Sequence, residues 1–259
     1  MKKIISFLFF LFIILLGVWS SYYFYHNKPI HFSIDDVNAC MVNLNNDSDK
    51  YNSVFDEPFF AALKKMHERT RAKFTLYLYE KKGDFTLNKL PSMYHKELKE
   101  CNSWLRFGFH APFPKSTADS TLFMTSYIHT KNIITEKLGN LHTQILRLDY
   151  FFATPEEIKA LQERDVTTLL SADDNRISYS LSRKDNEHLI KTEILEKNGI
   201  TYKRTDARIE KTSPLPTLIY NATDDELFLF THESCFFENT KEIYMYLFFF
   251  YLTGSIFIY

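Results

Sequence analysis

Asp35 and Asp36 are adjacent carboxylates that end a short apolar run, which begins at Ile30 and has the composition of a buried β-strand. Like charges at this separation raise each other's pKa unless a cation or hydrogen-bond donors hold them. The pair therefore indicates a site at the end of the strand where a cation or hydrogen-bond donors hold the two carboxylates. The alternative is a simple turn, because Asp side chains often accept hydrogen bonds from the nearby backbone.

Polar side chains also follow four of the other predicted strands. They are His110 after the third strand, Arg147 and Asp149 after the fourth, residues 171–176 after the fifth, and residues 231–233 after the last. In α/β barrels the carboxyl ends of the strands converge on one face, and that face carries the active site. One shared site explains these strand ends better than independent turns do. Carboxylate and imidazole groups together suit zinc or a similar divalent ion.

The elements that must position these side chains alternate between strand-like and helix-like segments. The predicted strands are 31–34, 73–79, 105–109, 144–148, 167–170 and 227–230, all rich in Phe, Leu, Ile, Tyr or Thr. The predicted helices are 57–69, 94–101, 121–138 and 155–164. This alternation predicts an α/β fold with a mainly parallel sheet and covering helices.

The N-terminus predicts a membrane anchor. Residues 4–25 carry no charge, and as a helix they would extend about 33 Å, enough to cross a bilayer. Two lysines within residues 1–3 favour a cytoplasmic N-terminus, and the aromatic residues near position 25 resemble an interfacial belt. A cleaved signal peptide is the alternative. Both interpretations place residues 26–259 outside the cytoplasm, and the first makes the chain a single-pass protein of the cell membrane.

Composition narrows the class of protein further. Residues 26–259 contain no glycine- or proline-rich linker and no repeat, which predicts one domain. The net charge of −1 and the lack of a basic stripe argue against nucleic acid as a partner. Cys40, Cys101 and Cys235 cannot all pair and lack metal-ligand spacing, so no disulfide framework is expected. Cys40 and Cys235 both follow strand ends, where one bond between them could form.

Taken together, the strand ends resemble the motifs of polysaccharide deacetylases of the NodB-homology type. These esterases remove N- or O-acetyl groups from cell-wall and surface glycans. In that family a strand ends Thr-Phe-Asp-Asp-Gly, with the first Asp as general base and the second as metal ligand. Residues 33–37 read Ser-Ile-Asp-Asp-Val, so the resemblance implies Asp35 as the base, Asp36 as a ligand, and a distorted (β/α) barrel as the fold.

The later motifs of the family also have counterparts in this chain. A metal-binding His follows a later strand in the family, and His110 in Gly-Phe-His occupies that place. The third motif supplies an Arg that orients the base, here Arg147. Asp173 and Asp174 resemble the acidic fourth motif, and His232 takes the place of the His that acts as general acid.

The chain departs from the family at the third metal ligand. The second family motif carries another His four residues on, where this sequence has Pro114. The ligand must therefore come from elsewhere, and the candidates are Asp149, Asp119, His129 and His232.

We predict that Asp149 completes the site with Asp36 and His110. Side chains alternate along a strand, so Arg147 and Asp149 point to the same side. If Arg147 faces the acids at the barrel mouth, Asp149 faces them too. Zinc is the expected ion, and the additional carboxylate should shift the preference toward manganese or magnesium.

Charged residues beyond the fifth strand are the candidates for substrate binding. They are Asp173, Asp174, Arg176 and Arg208; for the first three the alternative is a surface turn. The segment 184–210 predicts an excursion that carries a hairpin or short helix around Asn198-Gly199. The apolar stretch 240–259 predicts a buried helix ended by Gly254 and followed by a strand, with a membrane-associated tail as the alternative.

These inferences predict a metal-dependent de-N- or de-O-acetylase that acts on a cell-surface or cell-wall glycan. Two different functions also fit the sequence. A glycoside hydrolase would use two carboxylates and no metal. A non-catalytic, membrane-tethered glycan-binding module would keep the scaffold of the esterase without its chemistry.

Overall fold

Strands and helices alternate along the chain in the computed structural model, which describes residues 2–111, 120–139 and 141–259. Within these ranges the strands are β1 (Pro29–Val37), β2 (Phe74–Leu78), β3 (Lys81–Lys82), β4 (Phe85–Thr86), β5 (Leu105–Phe109), β6 (Ile145–Leu146), β7 (Thr168–Leu170), β8 (Ile194–Lys197), β9 (Ile200–Lys203), β10 (Ala207–Arg208), β11 (Leu227–His232) and β12 (Ile256–Ile258). The α-helices of the same ranges are α1 (Lys2–Tyr25), α2 (Ala39–Asn46), α3 (Pro58–Thr70), α4 (His95–Glu100), α5 (Ser120–Ile133), α6 (Pro155–Gln162), α7 (Arg183–Thr192), α8 (Pro214–Tyr220), α9 (Glu233–Phe236) and α10 (Thr240–Thr253).

Two sheets of mainly parallel strands form the wall of a distorted barrel. The first has the order β10-β11-β1-β2-β5, with β12 beside the start of β1, and the second has the order β6-β7-β9-β8. A backbone bridge between Phe107 and His142 joins the two sheets. On the other side, the segment 200–208 pairs with β7 through β9 and with β11 through β10. The predicted α/β fold with a mainly parallel sheet is confirmed.

Strands β1, β2, β7 and β11 are buried on both faces, as parallel strands under covering helices usually are. In β1, Ile30, Phe32 and Ile34 belong to a core that includes apolar residues of α3, α4 and α10. The alternate residues of β1 point the other way, into the barrel, and among them Ser33 and Asp35 are buried polar side chains. The apolar side chains of β1 therefore pack against the helices, and its polar side chains point into the barrel.

Local sequence signals fix several helix ends. The side chain of Thr154 and that of Glu157 form a reciprocal capping box at the start of α6, with Pro155 in the first turn. Gly254 adopts φ 72° at the end of α10, a conformation that glycine adopts without strain. The buried helix and final strand predicted over 240–259 are thus present. The helix predicted over 121–138 is α5, continued by a π-helix over Ile134–Leu138.

The segment 184–210 contributes more to the barrel than its charge suggests. Helix α7 leads into the antiparallel hairpin of β8 and β9 around Asn198-Gly199, as predicted, but β9 and β10 are also strands of the barrel wall. The fourth predicted strand, 144–148, is shorter than expected and is reduced to β6. Cys40 and Cys235 are free thiols, so the disulfide considered between them is not formed.

Residues 4–25, predicted to be a membrane span, lie within α1. Within the described part of the chain, no helix combines the length and the apolar character that crossing a bilayer requires. The predicted membrane span is therefore not supported by the structure.

Candidate metal centre

The end of β1 is irregular, and the irregularity separates the two adjacent acids. The pairing of β1 with β2 shifts register between Ile34 and Val37, and Asp36 adopts φ 58°. A bulge of this kind redirects a side chain and is common beside active sites. Asp35 stays inside the barrel with 2% of its surface exposed, whereas Asp36 turns to the mouth with 35% of its side chain exposed.

Asp36, His110 and Asp149 come together at the mouth of the barrel. The Nε2 atom of His110 lies 3.0 Å from Oδ1 of Asp36 and 3.9 Å from Oδ1 of Asp149. One ligand atom from each residue lies within 4.8 Å of the others. Bonds of about 2 Å to one ion place ligand atoms about 3–4 Å apart, so the spacing fits a shared metal.

The orientation of His110 also fits a ligand. Its Nδ1 atom lies 2.7 Å from the backbone oxygen of Arg147, to which it can donate a hydrogen bond. That bond turns Nε2 toward the two carboxylates, and in the neutral ring it leaves the lone pair of Nε2 available to an ion. Histidine ligands of metals are commonly oriented in this way by a carbonyl or a carboxylate.

The electrostatics of the group favour a cation. Burial acts to raise the pKa of Asp36, but the hydrogen bonds and charge of His110 and the hydroxyl of Tyr79 outweigh it, so this pKa is lowered well below its usual range. Burial raises the pKa of Asp149, and the negative charge of Asp36 adds to the effect. Three acids lie beside one buried arginine and one imidazole, so negative charge is in excess even when His110 is protonated. A divalent ion would neutralise it.

Arg147 lies inside the barrel as the charge partner of Asp35. Its Nη1 atom donates to Oγ of Ser33 at 2.6 Å and to Oδ1 of Asp35 at 3.3 Å, and Nη2 donates to Oγ1 of Thr205 at 3.1 Å. The guanidinium also lies 4.1 Å from the ring centroid of Phe230. Burial raises the pKa of Asp35 while Arg147 lowers it. Asp35 is therefore held in place next to the metal group without being a member of it.

His232 lies beside Asp35, because the two residues are paired in the parallel register of β1 and β11. Its Nδ1 atom contacts Oε1 of Glu210, and the other oxygen of Glu210 accepts from Oγ1 of Thr231 at 2.9 Å. Burial would lower the pKa of His232, but the bond and charge of Glu210 raise it. Glu210 is a site residue that the sequence did not indicate, since it lies in a charged segment with no recognisable motif.

Glu233 is a second residue that the sequence motifs did not single out. It follows His232, and its carboxylate accepts hydrogen bonds from the backbone N–H groups of Asn38, Ala39 and Cys40 at 2.7–2.8 Å. These are the donors at the start of α2, which a helix cannot satisfy by itself. Glu233 therefore fixes the backbone that follows Asp36.

Among the described residues, the other two candidates for the third ligand, His129 and His232, do not join the group. His129 contacts Glu80 at 3.1 Å, and His232 contacts Glu210. Asp119, like Pro114, lies outside the described residues. Asp149 is the candidate that the structure brings to Asp36 and His110, and its role as a ligand stays a prediction.

The predicted substrate-binding residues are paired with one another. Oδ1 of Asp173 lies 2.6 Å from Nη2 of Arg208, and both side chains are largely buried. Arg208 also approaches the ring of Phe230, at 5.0 Å from its centroid, which places this pair near Arg147. Asp174 and Arg176 form an exposed pair, with Oδ2 and Nη2 2.6 Å apart, inside one turn. A surface turn therefore describes Asp174 and Arg176 well.

Comparisons with known proteins bear on the fold. No protein-family model matches the sequence, and no curated protein matches it. The structure is similar to that of 4-alpha-glucanotransferase from Thermococcus litoralis, at 15% identity and a TM-score of 0.55, over 90% of this chain and 39% of that one. The chain thus spans about two fifths of the length of that protein.

Two further solved structures are similar over more of their own length. One is a Streptococcus mutans CE4 esterase, at 12% identity and a TM-score of 0.46, over 90% of this chain and 86% of that one. The other is a Mycobacterium smegmatis protein assigned as a polysaccharide deacetylase, at 9% identity and a TM-score of 0.47, over 85% of each chain.

Proposed function

We propose that this chain is a metal-dependent hydrolase that removes acetyl groups from a glycan. The observation that carries the proposal is the grouping of Asp36, His110 and Asp149 beside the buried pair of Asp35 and Arg147. Because one fold can host many activities, the proposal rests on this group and on the order of the motifs. A cell-surface or cell-wall glycan outside the cytoplasm is the substrate that the resemblance and the N-terminal sequence favour.

In this proposal Asp36, His110 and Asp149 hold the ion. When bound, the ion supplies the positive charge that polarises the acetyl carbonyl and makes a water molecule more acidic. Two carboxylates and one imidazole form a donor set that suits manganese or magnesium as well as zinc.

The remaining residues move or control protons. Asp35 accepts the proton of the attacking water, and its burial makes it a stronger base than an exposed carboxylate. Arg147 holds Asp35 in position and keeps it ionised until that step. His232, in its protonated form, donates a proton to the leaving amine or alcohol, and Glu210 favours that form.

Replacing the ligands and the base separately tests the proposal. The full chain is purified, its metal content is measured, and acetate release is followed from acetylated xylan and from N-acetylglucosamine oligomers. Asp36→Ala, His110→Ala and Asp149→Ala should lose both metal and activity. Asp35→Asn should keep its metal and lose about 10²–10⁴-fold in rate, the usual contribution of a general base.

Glu187→Gln is the control, because it removes an exposed acid of α7 that pairs with Arg183. This variant should keep both metal and activity. Equal metal loss in the Asp35 and Asp36 variants would contradict the assigned roles. Cleavage of glycosidic bonds that persists in chelator would favour the glycoside hydrolase instead, and sugar binding without acetate release would favour the non-catalytic module.

A further inference from the structure

Tyr79 lies directly beyond the end of β2 and faces the candidate metal centre. Side chains alternate along β2, so Tyr79 points to the same face of the strand as Thr75 and Tyr77. Both of these are buried residues with a hydroxyl group. The backbone N–H of His110 donates to the oxygen of Leu78 at 2.8 Å. This bond places Tyr79 beside His110.

The hydroxyl of Tyr79 donates to Oδ1 of Asp36 at 2.6 Å. A short bond to an ionised carboxylate is among the stronger hydrogen bonds in proteins. The same oxygen lies 3.0 Å from Nε2 of His110. In the described part of the chain, these two groups are the polar side-chain partners of Asp36.

The two partners of Asp36 differ in whether their hydrogen bond to it would persist once an ion is bound. Nε2 of His110 is the atom that would bind the ion, so it could no longer share a proton with Asp36. The hydroxyl of Tyr79 does not compete for the ion and keeps its bond. Tyr79 is therefore the partner that can orient the Asp36 carboxylate while the site is loaded.

The backbone conformation of Asp36 is a second reason why its carboxylate needs a partner that holds it. A residue other than glycine at φ 58° is strained and stays there only if its surroundings hold it. Glu233 holds the backbone beyond the bulge through its bonds to Asn38, Ala39 and Cys40. Tyr79 holds the side chain.

The ring of Tyr79 is itself fixed in place. It contacts the ring of His110 edge to face, with centroids 5.1 Å apart. The ammonium of Lys82, presented by the hairpin of β3 and β4, lies 5.1 Å from its centroid. An aromatic ring held by a neighbouring ring and a cation loses little freedom when its hydroxyl forms a hydrogen bond.

We propose that Tyr79 is a positioning residue for the metal, acting through Asp36; this inference rests on the metal centre of the proposed function. Outer partners of metal ligands typically contribute 10–100-fold to metal affinity. Tyr79→Phe removes the hydroxyl and keeps the ring contact with His110. It should therefore weaken metal binding by about 10–100-fold.

The test is calorimetric titration of Zn²⁺ and of Mn²⁺ into the metal-stripped full chain. Tyr94→Phe is the matched control, because the hydroxyl of Tyr94 donates to the backbone oxygen of Tyr51 at 2.8 Å and takes no part in the group. This control should bind metal within about threefold of the unchanged chain, against the 10–100-fold loss expected for Tyr79→Phe. Thermal unfolding without metal shows whether either variant has lost its fold.

Each outcome decides the inference. Wild-type-like affinity in Tyr79→Phe, or an equal loss in Tyr94→Phe, overturns the role of Tyr79 and leaves the metal centre standing. An unchanged chain that binds neither ion overturns both the inference and the metal-dependent function. A chain that binds metal but releases no acetate overturns the function alone, and the titrations still decide the role of Tyr79.

Discussion

Arg147 and Asp35 are both almost fully buried inside the barrel, with 0% and 3% of their side chains exposed. Removing two charges from water costs free energy that their attraction does not reliably restore. The Nε atom of Arg147 also has no hydrogen-bond partner among the described residues. A pair of this kind contributes little to stability, so its value to the protein lies in holding a carboxylate at a fixed point below the mouth.

Glu210 sets the protonation of His232, and this predicts a change in pH dependence. In Glu210→Gln the charge of Glu210 is lost, so its contribution to the raised pKa of His232 disappears. Burial, which lowers this pKa, remains, as do the charges of Asp35 and Asp36, which raise it. A general acid must be protonated, so the alkaline limb of the profile of kcat/KM against pH should move to lower pH. The profile is measured by acetate release from N-acetylglucosamine oligomers.

Glu187→Gln is the control for this measurement. Glu187 is an exposed residue of α7 that pairs with Arg183, so its replacement should leave the profile where it was. An unmoved alkaline limb in Glu210→Gln would show that His232 is not the acid of the reaction or that Glu210 does not control it.

At the scale of the elements, those with local signals could be predicted from the sequence. Helix α6 has its cap residues, α10 has its terminal glycine, and β5 has its apolar composition. The same holds for the acids and histidines of the site, because they follow recognisable strands. Three of the six predicted strands, 31–34, 105–109 and 144–148, end within two residues of Asp36, His110 and Asp149, which meet at the mouth.

What the sequence did not reveal depends on contacts between distant residues. Strands β9 and β10 lie in a segment that contains Lys203, Arg204 and Arg208, so its composition resembles a surface loop. The bulge at Asp36 lies in the pairing of β1 with β2, and no local pattern encodes it. Glu210 and Tyr79 belong to the site only through pairings that bring β10 and β2 beside β11 and β5.

Gly108 gives a prediction at this scale, since β5 passes very close to β2. A Cβ atom at Gly108 would lie 2.5 Å from two ring carbons of Tyr77, whose hydroxyl is bonded to the backbone oxygen of Ile145. Gly108→Ala should therefore destabilise the protein by about 1–3 kcal/mol, as overpacking usually does. Urea unfolding measures the change.

Gly17→Ala is the control for overpacking, because an added methyl group there meets nothing within 4 Å. It should leave the free energy of unfolding of the barrel unchanged. A Gly108→Ala variant as stable as the unchanged chain would mean that the ring of Tyr77 can move away without loss.

At the scale of the whole molecule, Asp206 lies where the barrel closes. Its backbone N–H donates to the oxygen of Phe228 at 2.9 Å, and its Oδ2 accepts from the N–H of Phe228 at 2.7 Å. Burial raises the pKa of Asp206 to about 7, although the bonds from Phe228 and Arg204 oppose the shift. The folded barrel thus holds a proton on this carboxyl that the unfolded chain releases near pH 4.

This difference predicts how stability depends on pH. A carboxyl with a raised pKa in the folded state destabilises it progressively as pH rises from about 4 to about 7. In Asp206→Asn this pH-dependent loss is absent, so the free energy of unfolding of the variant should rise relative to that of the unchanged chain as pH increases from about 4 to about 7. The gain is on the order of 2–4 kcal/mol, because one pKa unit corresponds to about 1.4 kcal/mol. Urea unfolding at several pH values measures it.

Asp225→Asn is the control, because Asp225 is a neighbouring acid that is exposed. Its stability should follow that of the unchanged chain at every pH. If the free energies of unfolding of Asp206→Asn and the unchanged chain differ by the same amount at every pH, the folded protein does not hold the proton on Asp206.

The register of β1 has a consequence for the order in which the protein assembles. Ile30 pairs with Leu227, roughly 200 residues later in the chain, and contacts this distant in sequence form slowly. During synthesis the ribosome releases Asp35 and Asp36 long before it releases His232 and Glu233. The nascent chain therefore holds its acids on an open strand edge, where they are exposed to chaperones and proteases, until β11 is made. The proposed site is therefore incomplete on a partly synthesised chain, because His232 and Glu233 join it only when β11 pairs with β1.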